Sequence, residues 1–111
     1  MVNRYRGEVR ARLDGRDYTL CLTLGALAEL EDAFGVDDIA SLTERFATGR
    51  LKARDMTRVI GAGLRGAGFT FTDEEVGEMQ VEDGAVGYAN LVAELLTVTF
   101  AGPGASERSP S

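Results

Sequence analysis

Gly61, Gly63 and Gly66 stand in GxGxxG spacing, the pattern that cradles a pyrophosphate when a strand runs into it and a helix starts from it. Here the preceding residues have the wrong period. Met56, Val59, Ile60, Gly63 and Leu64 fall on one arc at about 100° per residue, so the glycines lie near the end of a helix. In that setting small side chains serve close packing against a neighbour, followed by a stop. The acidic series Asp73, Glu74, Glu75, Glu78, Glu82 and Asp83 invites comparison with a cation site. A calcium loop needs alternating oxygen ligands on a turn with a fixed glycine, and this run lacks that order. Its first members suit the first turn of a helix, where carboxylates oppose the positive end of the dipole. Asp37 and Asp38 have the same explanation. Cys21 is the one thiol, and the chain has no histidine to activate it or to complete a triad with Ser41, Ser106, Ser109 or Ser111. These tests leave no catalytic, cofactor-binding or metal-binding residues, and the chain reads as a non-enzyme.

One basic patch remains. Arg54, Arg58 and Arg65 share a side of the helix spanning roughly residues 53–65, away from its apolar arc. The plain reading is a solvated helix face. The functional reading is a partner-binding stripe for an acidic helix or for a second copy of this acidic chain.

The elements that would carry these residues are legible in outline. In GEVRARLDGRDYTLCL, Val9, Ala11 and Leu13 alternate with Glu8, Arg10 and Arg12, and Tyr18, Leu20 and Leu22 alternate with Asp17, Thr19 and Cys21. Asp14-Gly15 between them signals a two-residue hairpin turn. That turn pairs Leu13 with Arg16, Ala11 with Tyr18 and Val9 with Leu20 on one largely apolar face. It pairs Arg12 with Asp17 and Arg10 with Thr19 on the other. Thr23 caps a helix that runs to about Phe34 and stops at Gly35. Asp37 or Asp38 starts a second helix carrying Ile39, Leu42 and Phe46, ended by Gly49. The third helix spans about Ala53 to Arg65, with Ala53 a poor cap. Thr72 and Glu75 form a capping box for a short helix through Val76 and Met79. The last helix, about Ala85 to Phe100, has the widest apolar face and reads as the central core helix. The fold class is therefore α+β: an N-terminal two-stranded hairpin packed on four to five helices, one domain over residues 1–100. Residues 101–111, AGPGASERSPS, read as a disordered tail.

Composition sets further bounds. A net charge of −6 disfavours nucleic acid and anionic membranes as partners, since both are held by Lys and Arg. A single cysteine fits a reducing compartment, and the N-terminus has no apolar run after its basic residues. A cytoplasmic protein is expected. A lone hairpin needs its edges and apolar face covered by helices or by another chain.

Two stretches carry a resemblance: NRYRGEVRARLDGRDYTLCLTLGALAELEDAFG and LKARDMTRVIGAGLRGAGFTFTDEEV. The combination of LTLGALAELE with RVIGAGLRGAG resembles small proteins of the tail-gene region of gene transfer agents and siphophage-like prophages of alphaproteobacteria. The likeness spans about residues 3–100. It implies a phage-type tail protein, sometimes labelled a tail tube protein, and by position and type a tail assembly chaperone. Such chaperones are thought to coat the long helical tape measure protein until tail tube subunits polymerise around it. The implied partners are the tape measure protein and tail tube subunits, and the charge pattern separately allows a homo-oligomer. The resemblance brings no catalytic residues. The alternative is a structural subunit retained in the particle, against which one hairpin counts as too little β-structure.

Overall fold

The Asp14-Gly15 turn fixes the N-terminal architecture. In the computed structural model, which describes residues 7–35, 41, 44–45, 52–81 and 83–108 (backbone alone at 85 and 100–108), Asp14 and Gly15 have φ of 53° and 77°. Positive φ at both central positions is the geometry of a type I′ turn, whose twist matches that of the flanking strands. Strand β1, Glu8–Leu13, and strand β2, Arg16–Cys21, pair antiparallel in the register read from the sequence, from Leu13↔Arg16 to Glu8↔Cys21. Val9, Leu13 and Leu20 are fully buried on the inner face. Arg12 and Asp17 meet at 3.4 Å on the outer face, both side chains more than half exposed, so this pair adds little stability. Gly15→Ala, forced into a left-handed conformation, is expected to lower stability by about 1 kcal/mol without moving the register. A urea midpoint shift at unchanged m-value checks this.

Helix α1, Leu24–Phe34, starts at Thr23, whose side chain accepts from the Ala26 N–H at 3.1 Å, and stops at Gly35 with φ 66°. Helix α2, Ala53–Gly66, is capped one residue before the poor cap at Ala53. The Lys52 N–H donates to the Asp55 carboxylate at 2.9 Å, which is the reciprocal half of a capping box, and the N-cap side chain makes no capping bond of its own. Helix α3, Asp73–Gly77, opens on the expected capping box: Glu75 N–H to Thr72 Oγ1 at 3.2 Å, and Thr72 N–H to Glu75 Oε1 at 2.8 Å. It ends at Gly77, so Met79 is buried beyond it and not within it. Helix α4 runs Gly84–Arg108, further than the Phe100 end expected from the apolar pattern. The segment read as a tail therefore begins as helical backbone. Pro103 lies within this helical backbone, which therefore lacks one N–H donor at that position. The helix expected to start at Asp37 or Asp38 and carry Ile39, Leu42 and Phe46 lies outside the described residues. Ser41, Glu44 and Arg45 within that span are helical.

The architecture is α+β, as expected, but the central helix is α2 and not α4. Helix α2 packs against β2, α1, α3 and α4, whereas the main contacts of α4 are with α2 and β1. The sequence-level reading weighed α4 by the number of its large apolar side chains. Centrality went instead to the helix with the smallest ones. Val59–Leu64 is buried without interruption because Gly61, Ala62 and Gly63 let neighbours approach from several directions.

Candidate functional site

The GxGxxG glycines lie inside α2, more than a turn past its start, so their N–H groups are committed to helix bonds and no strand leads into them. What they do is steric. A Cβ on Gly66 would fall well inside contact distance of the Cys21 carbonyl oxygen, so the end of α2 sits directly on the backbone of β2. A Cβ on Gly63 would lie 3.2 Å from Leu20 Cβ and 3.4 Å from Leu95 Cδ1, wedged between β2 and α4. A Cβ on Gly61 would overlap Asp73 Oδ1. Close packing is thus their role, against a strand and a carboxylate as well as a helix. Among the described residues no cluster of His, Cys, Asp or Glu has the arrangement of a metal site.

The arginine stripe separates into three different roles. Arg65 is a three-way tie. Its Nε donates to Glu29 Oε1 of α1 at 3.0 Å, with Nη2 on the same oxygen. Its Nη1 donates to the Phe71 carbonyl at 2.9 Å and lies 3.1 Å from Asp73 Oδ1 of α3. The Glu29 bond raises the guanidinium pKa further, partial burial opposes this, and Asp73 adds to the rise. Asp73 Oδ1 is buried, and the Arg65 guanidinium 3.1 Å away is the cation that compensates it. Arg58 Nη1 donates to the Ala33 carbonyl at 3.1 Å. Helix α1 has no basic residue in its last turn and carries Glu31 and Asp32 there, so Arg58 brings from α2 the positive charge that its C-terminus lacks. The acidic helix met by Arg58 and Arg65 is this chain's own α1. Arg54 is exposed and is the member of the stripe that faces solvent without such a tie. Arg65→Gln, which strands Asp73, is expected to cost about 2 kcal/mol, and Arg54→Gln less than about 0.5 kcal/mol. Urea denaturation of the two variants side by side measures the contrast.

Features that the linear pattern did not reveal lie at both ends of the hairpin. At its tip, the Asp14 N–H donates to the Gln80 carbonyl and the Gln80 N–H to Asp14 Oδ1, both at 2.8 Å, and Leu13 forms an isolated bridge with Val81. Tyr88 of α4 holds the same loop from behind, donating to the Met79 carbonyl at 2.6 Å; burial, with Asp14 nearby, raises its pKa. Along β2, Tyr18 meets the rings of Phe69 and Phe71 edge-on at 5.1 and 5.6 Å. At the open end, Glu8, Thr19, Cys21, Leu22, Thr23, Gly66, Ala67 and Phe69 line a shallow groove. Leu24 beside it is 86% exposed, and Val86 at the start of α4 is 64% exposed.

Residues 6–102 match the family model described as phage tail tube protein, GTA-gp10. The chain belongs to this family. The match covers the hairpin, α1 to α3 and most of α4, so the elements described above are those of a GTA-gp10 protein. No curated protein and no solved structure matches the chain. Membership identifies a protein of gene transfer agent and phage tails, in a structural family whose members interact with other tail proteins. No helix among the described residues is long and apolar enough to cross a membrane.

Proposed function

We propose that this GTA-gp10 protein is a non-enzymatic tail assembly chaperone, working in the cytoplasm while particles are built. It binds the tape measure protein and supports assembly of the tail tube around it. The observation that carries this reading is the scale of the β-structure: among the described residues, one hairpin of two six-residue strands lies against helices. A continuous tube lining calls for a larger β-sandwich, whereas a chaperone needs a core and adhesive surfaces. Exposed Leu24, Val86 and Arg54 offer such surfaces. The second reading is a structural subunit retained in or on the tube, and the tail tube description of the family favours it.

Co-expression with the tape measure protein, affinity purification and light scattering test the proposal. The chaperone reading expects several copies of this chain on each soluble tape measure molecule, and none in finished particles by mass spectrometry. Arg54→Glu is expected to weaken co-purification. Stoichiometric recovery of the chain from purified particles, with a tape measure that stays insoluble in its presence, overturns the chaperone reading in favour of the structural one.

A further inference from the structure

Asp14 and Gly15, the exposed central residues of the hairpin turn, together hold the parts of a spontaneous reaction. A bond from the Gly15 amide nitrogen to Asp14 Cγ closes a five-membered ring. Glycine hinders this least, because it has no Cβ to crowd its nitrogen. With the carboxyl protonated, the nitrogen attacks Cγ and gives up its proton. The Cγ–O bond breaks, and the oxygen leaves as water. Water then adds to one carbonyl of the resulting succinimide and breaks the C–N bond there. Opening at Cγ restores Asp14. Opening at the main-chain carbonyl leaves Gly15 joined through Cγ, with a free carboxylate on Cα. That product is isoaspartate, and no atom is gained or lost overall.

The folded turn opposes the first step. Ring closure needs the Asp14 Cβ and the Gly15 nitrogen eclipsed about the Cα–C bond. A type II′ turn comes close to this, with ψ of about −120° at its first central residue. A type I′ turn has ψ of about 30° there, which sets Cβ and the nitrogen nearly opposite each other. The φ of 77° at Gly15 decides between the two, since a II′ turn needs a negative φ at that position. Passing from one turn to the other flips the Asp14–Gly15 peptide plane. The clasp adds a second lock. The Asp14 N–H donates to the Gln80 carbonyl and Asp14 Oδ1 accepts from the Gln80 N–H, both at 2.8 Å, so the carboxyl is committed to Gln80. Tyr88 steadies that loop through the Met79 carbonyl. We propose that Asp14 is a site of spontaneous aspartyl isomerisation, silent while the hairpin tip is clasped and active when the tip opens. Isoaspartate inserts a methylene into the main chain and shifts the carboxylate, so the product can rebuild neither the I′ turn nor the clasp. Chains that stay open are thereby marked covalently, and the marked residue has the chemistry that isoaspartyl methyltransferases accept. The inference depends on neither functional reading of the chain.

Incubation of the full chain at neutral pH, folded in buffer and unfolded in guanidinium chloride, tests the gating. Peptide mass spectrometry with electron-transfer fragmentation reads isoaspartate at position 14. Methyl transfer by an isoaspartyl methyltransferase gives an independent count. The unfolded chain is expected to isomerise at least about tenfold faster than the folded one, which reacts only through its opened fraction. Gly15→Ala is expected to suppress the reaction in the unfolded chain, because the added Cβ crowds the attacking nitrogen. Tyr88→Phe is expected to speed the folded chain's reaction while leaving the unfolded rate unchanged. Circular dichroism reports whether that variant has kept its fold, and if it has not, the comparison of folded and unfolded wild type decides alone. Equal rates in the folded and unfolded chains overturn the proposal, as does an unfolded chain that forms no isoaspartate at position 14. So does a folded Tyr88→Phe variant with a lowered urea midpoint and an unchanged isomerisation rate.

Discussion

Gly66→Ala is expected to destabilise the fold by about 3 kcal/mol, although alanine is the better helix former by about 1 kcal/mol. The added methyl group would collide with the Cys21 carbonyl oxygen and come within 3.4 Å of the Thr23 N–H nitrogen. Both belong to the backbone, so no rotamer change can make room. Either α2 lifts from β2 or the Cys21–Thr23 turn moves, and that turn carries the cap of α1. Gly25→Ala supplies the opposite sign. Its Cβ would meet only Thr23 Oγ1, at an ordinary 3.8 Å, so the gain in helix propensity survives as a rise of roughly 0.5 kcal/mol. Chemical denaturation of both variants measures the difference. A neutral Gly66→Ala would mean that α2 does not rest on β2.

Leu95→Ala is the second large effect, with an expected loss of about 3 kcal/mol. Leu95 is fully buried and packs over Gly63, at the point where α4 crosses α2. Glycine beneath it has no side chain that could swing into the space left by truncation, so the cavity stays largely open. A domain of this size has of the order of 5–15 kcal/mol in hand, so the variant would remain folded with a clearly lowered midpoint. Leu95→Met, which keeps the volume, is expected to cost less than about 1.5 kcal/mol.

Local chemistry wrote the local elements legibly. Asp14-Gly15 admits one turn type and hence one register, and all five pairs inferred from it are present. Thr23, Gly35 and the Thr72–Glu75 box act within a few residues of themselves, so each could be read in place. The arginines could not. Helical period puts Arg54, Arg58 and Arg65 on one side of α2, but period is blind to what lies across from that side. It could not assign Ala33 to Arg58, or Glu29 and Asp73 to Arg65. The Gln80–Asp14 clasp was invisible for the same reason, because two partners 66 residues apart share no local pattern. Counting apolar side chains named α4 as the centre, since a count cannot credit Gly61 and Gly63 for what their small size admits.

That clasp also bears on how the chain matures. Leu13 and the turn beside it leave the ribosome well before their cover, which is Gln80, Val81 and α4. Until that cover has emerged, the elements among the described residues that the hairpin can meet are α1 and α2. Folding of the whole waits on long-range closure, which slows it and leaves the early strands exposed to unintended pairing in the interval. A nascent chain stalled before residue 80 should be open to protease within Glu8–Cys21, and the released protein should be resistant there.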